Sequence, residues 1–223
     1  MFCSLMPRWK HAPRRGAEHW NLRYNWSREI GRMSEGTTGD GVDYGPLMVL
    51  LGEWRGDKGV DRAPEPDGEE RNPYYETITF DAAGDVTNCE DQVLAIVRYH
   101  QVVSRKSNDK VFHDQVGFWM WDKANNTVME TFTIPRGVAV VATGTVTAPA
   151  SPDDDWVFEV ACDAAGSGIA QSAYMYENGR TSAFTHRITV KGDQMRYTES
   201  TTLDIYEKRS YDHKDVNTLT RVA

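Results

Sequence analysis

The chain has no run of about 20 apolar residues, the length a helix needs to cross a bilayer, and its mean hydropathy is −0.60. A helical membrane span is therefore excluded. Cysteine is scarce: Cys3, Cys89 and Cys162 are odd in number and far apart. That excludes a disulfide framework, and suggests a reducing, cytoplasmic setting and no zinc site. Also absent are Gly-x-Ser-x-Gly, the P-loop, the Rossmann glycine pattern and His-Glu-x-x-His, which removes the conventional hydrolase and nucleotide-dependent classes. Helical periodicity is missing between Trp54 and Pro149. Basic charge is thin beyond the start. Residues 1–32 hold seven Arg/Lys against two Asp/Glu, leaving 18 basic and 31 acidic residues in the remainder. So acidic a main body repels phosphate backbones, and nucleic acid is not an expected partner.

With 223 residues, the chain can build one substantial core. Residues 1–43 read as a basic extension containing Trp9, Trp20 and Trp26, without the apolar core of a secretory signal. Trp20, Tyr24 and Ile30 form a short helical stripe, and the basic, acid-poor start also suits an organelle-targeting segment. Met33 is an alternative natural start, and Ser34 to Gly41 reads as a flexible linker. Residues 44–223 are expected to form a single ligand-binding domain. Asp43 reads as a helix cap with Pro46 in the first turn, opening a short lid helix over Leu47 to Leu51.

From Trp54 onward the pattern is β. Runs at 74–80, 92–103, 111–121, 127–134, 138–146, 156–162, 181–190, 194–206 and 211–222, with the strand at Trp54, make about ten strands separated by short turns. An all-β, antiparallel up-and-down barrel follows, since closure removes exposed edges. Asp61 to Pro73, rich in proline and charge, is expected as a loop at one rim, and Ala164 to Arg180 as a second irregular connection with a helical turn. Gly52 and Trp54 in LLGEWRG, answered by Arg221 near the end, suit a barrel closed at its base by a guanidinium stacked on an indole.

Several polar residues are candidate ligand anchors. Gly192-Asp193 as a two-residue hairpin turn pairs positions summing to 385, which sets His186 opposite Glu199. The pair reads as catalytic, as a lumenal anchor, or as a buried polar pair satisfying itself. His113 alternates with Gln115, Gly117 and Trp119, and His100 with Arg98 and Ile96. If those faces point inward they carry polar anchors, Arg98 for a carboxylate. If they point outward they are ordinary sheet residues. Arg136, in the Ile134 to Gly137 turn, reads as structural.

In the order LLGEWRG (50–56), FHDQVGFW (112–119), VMETFTIPRG (128–137) and HKDVNTLTRV (213–222), the chain resembles the nitrobindin-like haem-binding β-barrels over residues 44–223. These are related in fold to fatty-acid-binding proteins and lipocalins. The resemblance implies a ten-stranded barrel holding ferric haem b, with His213 as the axial ligand to iron, and an activity of binding nitric oxide or isomerising peroxynitrite to nitrate. Asp212 or Asp215 would then bond the second ring nitrogen. The chain departs from the family after Trp54, where GDKGVDRAPEPDGEERNP replaces a glycine-alternating stretch. His213 and Arg221 share a strand face roughly 27 Å apart, so one can sit at the mouth while the other closes the base. Two further readings stand beside haem: a metal-free carrier of a small hydrophobic molecule or fatty acid, anchored by Arg98, His186 or His113, and an interaction module acting through the N-terminal arm.

Overall fold

The computed structural model describes residues 38–39 and 41–222. The expectations for Cys3, Trp9, Trp20, Trp26, Met33 and most of the linker lie outside these residues. Eleven strands follow a six-residue 3-10 helix, Gly45–Leu50. They are β1 (Gly52–Glu65), β2 (Gly68–Asn88), β3 (Gln92–Arg105), β4 (Val111–Asp122), β5 (Thr127–Ile134), β6 (Val138–Thr147), β7 (Trp156–Asp163), β8 (Ile169–Gln171), β9 (Gly179–Lys191), β10 (Gln194–Ile205) and β11 (Lys208–Val222). A single helical turn, α1 (Ala173–Asn178), precedes β9.

Sequential strands pair antiparallel, β9 returns to β7, and the β5–β6 and β1–β11 ladders complete a closed ring of ten strands. β8 is the extra strand and lies against β6. Alternating side chains put one set into the lumen and the other into solvent, as the patterns of β4 and β11 show. The β9–β10 hairpin has the register the turn demands, with His186 opposite Glu199, until a bulge after Thr202.

The expected rim loop at Asp61 to Pro73 is instead the tip of the β1–β2 hairpin, paired down to Glu65 opposite Gly68. Its composition misleads for a physical reason. β1 pairs with β11 only over Glu53 to Arg55. Past that point β1 bonds on one side alone, so Pro64 forfeits no ladder bond on its other side. The tip is tied to β11 by side chains: the Tyr211 hydroxyl donates to the Arg62 carbonyl (3.3 Å) and Glu69 (2.9 Å), and the Lys208 ammonium donates to the Glu65 carbonyl.

The base of the barrel is plugged. Trp54 is fully buried and its indole N–H donates to the Leu50 carbonyl (2.7 Å). Over its face lies the Arg221 guanidinium, 4.1 Å from the ring centre. Arg221 also donates to the Val49 carbonyl (3.0 Å), the Leu51 carbonyl and Asp193 (3.1 Å), so one side chain satisfies carbonyls the 3-10 helix leaves open. The lid is 3-10 rather than α-helical. Its N-cap is Tyr44, while Asp43 accepts from the Gly45 N–H (3.0 Å). Gly45 has φ +48, and a Cβ there would strike the Trp121 ring, so no other residue fits that entry.

Replacing Arg221 by Met keeps the apolar stem over Trp54 and deletes the donors. The expected cost is roughly 2–3 kcal/mol in urea unfolding, from several buried carbonyls left unpaired and the lost cation–π contact. A cost under about 0.5 kcal/mol would show that water replaces the guanidinium and that the plug is dispensable.

Candidate functional site: the barrel lumen

Three hydrogen-bonded groups line the lumen. Glu76 from β2 accepts from Gln101 (2.7 Å), Asn217 (2.6 Å) and the Tyr197 hydroxyl (3.0 Å), and that hydroxyl meets the Tyr74 hydroxyl (2.8 Å). Beside it, Glu130 from β5 accepts from the Tyr99 hydroxyl (2.7 Å), which takes a bond from Gln115 (2.7 Å). The other oxygen of Glu130 meets His186 Nδ1 at 2.8 Å. At the mouth, His213 Nε2 lies 2.7 Å from Asp61 Oδ1 and 3.6 Å from Asp215 Oδ2.

Burial in a closed barrel penalises charge, and the acids respond. Glu76 is pushed up to about 7 by burial, against the lowering pull of its three donors. Glu199 is pushed up to about 8, burial again outweighing the nearby His186. Asp215 rises to about 6 by burial despite His213. Burial works against the imidazolium of His186, but Glu130 outweighs it and the ring is held above its ordinary value. His213 is likewise raised, since the Asp61 bond and the Asp215 charge exceed the burial penalty. His113, bonded to Gln115 (3.1 Å), is lowered by burial.

Of the anchors expected from the sequence, His186, His113, Glu199 and His213 belong to the inward faces. Arg98 and His100 do not. Arg98 points to solvent and pairs with Asp81 (3.0 Å), and His100 pairs with Asp114 (3.0 Å) on the outer face. Tyr99 and Gln101 take the inward parity of β3 instead, so neither Arg98 nor His100 can meet a ligand in the lumen. His186 and Glu199 are register neighbours, yet the partner of His186 is Glu130, reaching across the lumen. Asp212 is also displaced from its expected role. It faces outward to Lys214 (2.6 Å) and Ser200, and the carboxylate that engages His213 is Asp61. Arg136 donates to the Phe112 carbonyl (3.0 Å), a structural contact. Glu76, Glu130, Asp61, Tyr99 and Asn217 escaped the reading because each meets a partner on a strand distant in sequence.

The ring of ten strands, the Trp54–Arg221 plug and the histidine on the last strand coincide with one recognised domain. The model of the THAP4-like, heme-binding beta-barrel domain matches residues 43–221. This chain belongs to that family. In fold, this family member is similar to Rv2717c from M. tuberculosis, with a TM-score of 0.61 and 18% identity over 80% of this chain and 98% of that one. No curated protein sequence matches it.

Haem is the family's cofactor by name. An axial ligand turns a ring nitrogen's lone pair toward iron. His213 Nε2 instead faces Asp61 Oδ1 at 2.7 Å, with Asp215 Oδ2 at 3.6 Å. Deeper in the lumen, the void beside His186 has room for about one water, and Glu130, Gln101 and Tyr197 line it together with apolar groups. As arranged, these residues do not fit an axial haem ligand.

The shifted lumenal groups set a pH dependence. Glu76 titrates near 4.5 when unfolded and near 7 when folded. Between those values the folded state keeps a proton the unfolded chain has released, so stability falls as pH rises. Asp215 and Glu199 act in the same sense. So do His186 and His213: their contribution is complete below 6.5 and is lost as pH climbs through their raised folded values. His113 opposes them. The urea midpoint should therefore fall from pH 5 to pH 8, and Glu76→Gln should flatten the slope by up to about 3 kcal/mol. A midpoint that rises over this range would contradict the assignment.

Proposed function

We propose that this barrel binds a small polar organic molecule above the one-water void of its lumen, with a single ligand oxygen entering that void to accept from His186 Nε2–H and a donor or cationic end toward Glu199 and Asp215. One observation carries the reading. His186 Nε2 is buried and has no hydrogen-bond partner, while Nδ1 is fixed by Glu130. An orphaned buried donor costs about 1–3 kcal/mol, which an acceptor on the ligand would offset. The rings of Trp119 (5.8 Å), Phe184 (6.1 Å) and Tyr197 (5.7 Å) wall the imidazole and hold its orientation. Toward the mouth the inward residues Glu199, Thr201, His213 and Asp215 are only half-buried, so the lumen stays open above the pocket. Glu76 and Glu199 titrate near neutrality and so could exchange a proton with a bound molecule. Residues 44–223 would act as the single binding domain, with 1–43 as its extension.

Haem b on His213, with nitric oxide binding or peroxynitrite isomerisation, is the reading that family membership and position favour. His213 projects inward from the last strand, eight residues before the base-closing Arg221. It would require His213 to leave Asp61 and lose a proton. Carriage of a fatty acid is less supported, since Arg98 lies outside the barrel and the lumen is acidic. The N-terminal-arm reading rests on residues outside those described.

Native mass spectrometry of the full chain from a gently prepared lysate tests the proposal. We expect a small-molecule adduct, lost in His186→Ala and kept in the outward-facing control Arg98→Ala. An adduct that survives His186→Ala would move the site elsewhere. Haemin titration should give no saturable, shifted Soret band. A band that appears and vanishes in His213→Ala would replace this reading with haem.

A further inference from the structure

We propose that Asp61, His213 and Asp215 form a binding site for a bare divalent transition-metal ion, set in the seam between β1 and β11. One ligand atom from each residue lies within 4.8 Å of the others. Two of the separations are 2.7 Å, from His213 Nε2 to Asp61 Oδ1, and 3.6 Å, from His213 Nε2 to Asp215 Oδ2. Around a tetrahedral zinc ion with bonds of about 2.0–2.2 Å, ligand atoms stand roughly 3.4 Å apart. The observed separations straddle that value, so rotamer adjustments of about an ångström would complete the site.

The fold brings these residues together for a specific reason. His213 and Asp215 are two apart on β11 and so share the inward face. Asp61 comes from β1 beyond the last ladder pair, Arg55 opposite Thr220, where no backbone bonds occupy the space between the two strands. Asn72, opposite Asp61 on β2, donates to Asp61 Oδ2 (3.3 Å), which orients the carboxylate and leaves Oδ1 as the atom turned to His213.

The charges of the cluster do not balance. Two carboxylates face one imidazole, and the Asp215 side chain makes no hydrogen bond among the described residues; its contact with His213 is 3.6 Å. Glu199, opposite Asp215 in the β10–β11 register, adds a further unbonded carboxyl at the same level. A divalent ion would neutralise Asp61 and Asp215 with His213 as a neutral third ligand, and the proton now held by that ring would leave to solvent. Nitrogen and oxygen donors without sulfur select zinc, manganese or ferrous iron. Three protein ligands leave a fourth position for water or for Glu199, the pattern of an open zinc site. The inference shares Asp215 and Glu199 with the lumenal ligand proposed above but does not use His186, so His186→Ala separates the two.

The test is calorimetric titration of the chelator-treated full chain with Zn2+, and absorbance with Co2+ as the coloured stand-in. We expect one ion per chain, a Co2+ visible band and a raised unfolding temperature. Asp215→Asn, which breaks no hydrogen bond, should weaken binding at least tenfold, and Asp61→Asn with Asp215→Asn should abolish it. His186→Ala should leave it unchanged. Circular dichroism without metal checks that the variants fold. Failure of the wild-type chain to bind either ion, or undiminished binding in the folded double variant, overturns the proposal.

Discussion

The structure depends on how a ring of ten strands is closed by only three ladder pairs. β1 and β11 share backbone bonds over Glu53 to Arg55 and nowhere else. Side chains do the rest of the work along the seam. At the base the Arg221 guanidinium lies on Trp54 and bonds to carbonyls of the lid. At the mouth His213 reaches Asp61, and Tyr211 and Lys208 hold the hairpin tip. A backbone ladder is indifferent to pH and to ions, whereas these bridges are not. The site at the mouth is therefore also a part of the barrel's closure, and whatever binds there acts on the stability of the wall.

The lumen shows the same constraint from inside. A closed barrel leaves no backbone groups free to satisfy inward polar side chains, so those side chains must satisfy one another. Most do, in two clusters around Glu76 and Glu130 that join strands far apart in sequence. Networks of this kind are rigid when complete and costly where a valence is left open. His186 Nε2 is such an open valence in the deep lumen, and the Asp215 carboxylate is another at the mouth. Both flank Glu199, which lies opposite His186 on β9 and opposite Asp215 on β11, so the two open valences are separated by a single strand.

Much of the fold was legible in the residues. The turn at Gly192-Asp193 set the register that places His186 opposite Glu199, and the strand at 127–134 was bounded by its turns alone. The base plug was readable because Gly52, Trp54 and Arg221 have few other uses in that order. Parity was harder. Around Leu94 and Ala95 two successive residues are buried, so the alternation that would have turned Arg98 and His100 outward is blurred. The hairpin tip failed on composition, because a strand bonded on one side tolerates proline and charge that a central strand would not. Least legible was the site itself. The pairs Glu130 with His186 and Asp61 with His213 span 56 and 152 residues and cross the lumen or the open seam, so no local pattern announces them.

Membership of a haem-binding family and a lumen that does not fit an axial haem ligand are compatible once scaffold and site are separated. In this chain the closed ring and its plug are maintained by residues remote from the mouth. The hairpin tip after Trp54 carries Asp61 across the seam to His213. A single aspartate at that position occupies His213 Nε2, an atom an axial haem ligand could turn to iron. Adding Asp215 on the same face gives the ring two anionic neighbours, a setting that favours a small cation over a planar macrocycle needing apolar walls. That preference would then follow from side chains at the hairpin tip and on β11, and not from the ring or the plug at its base.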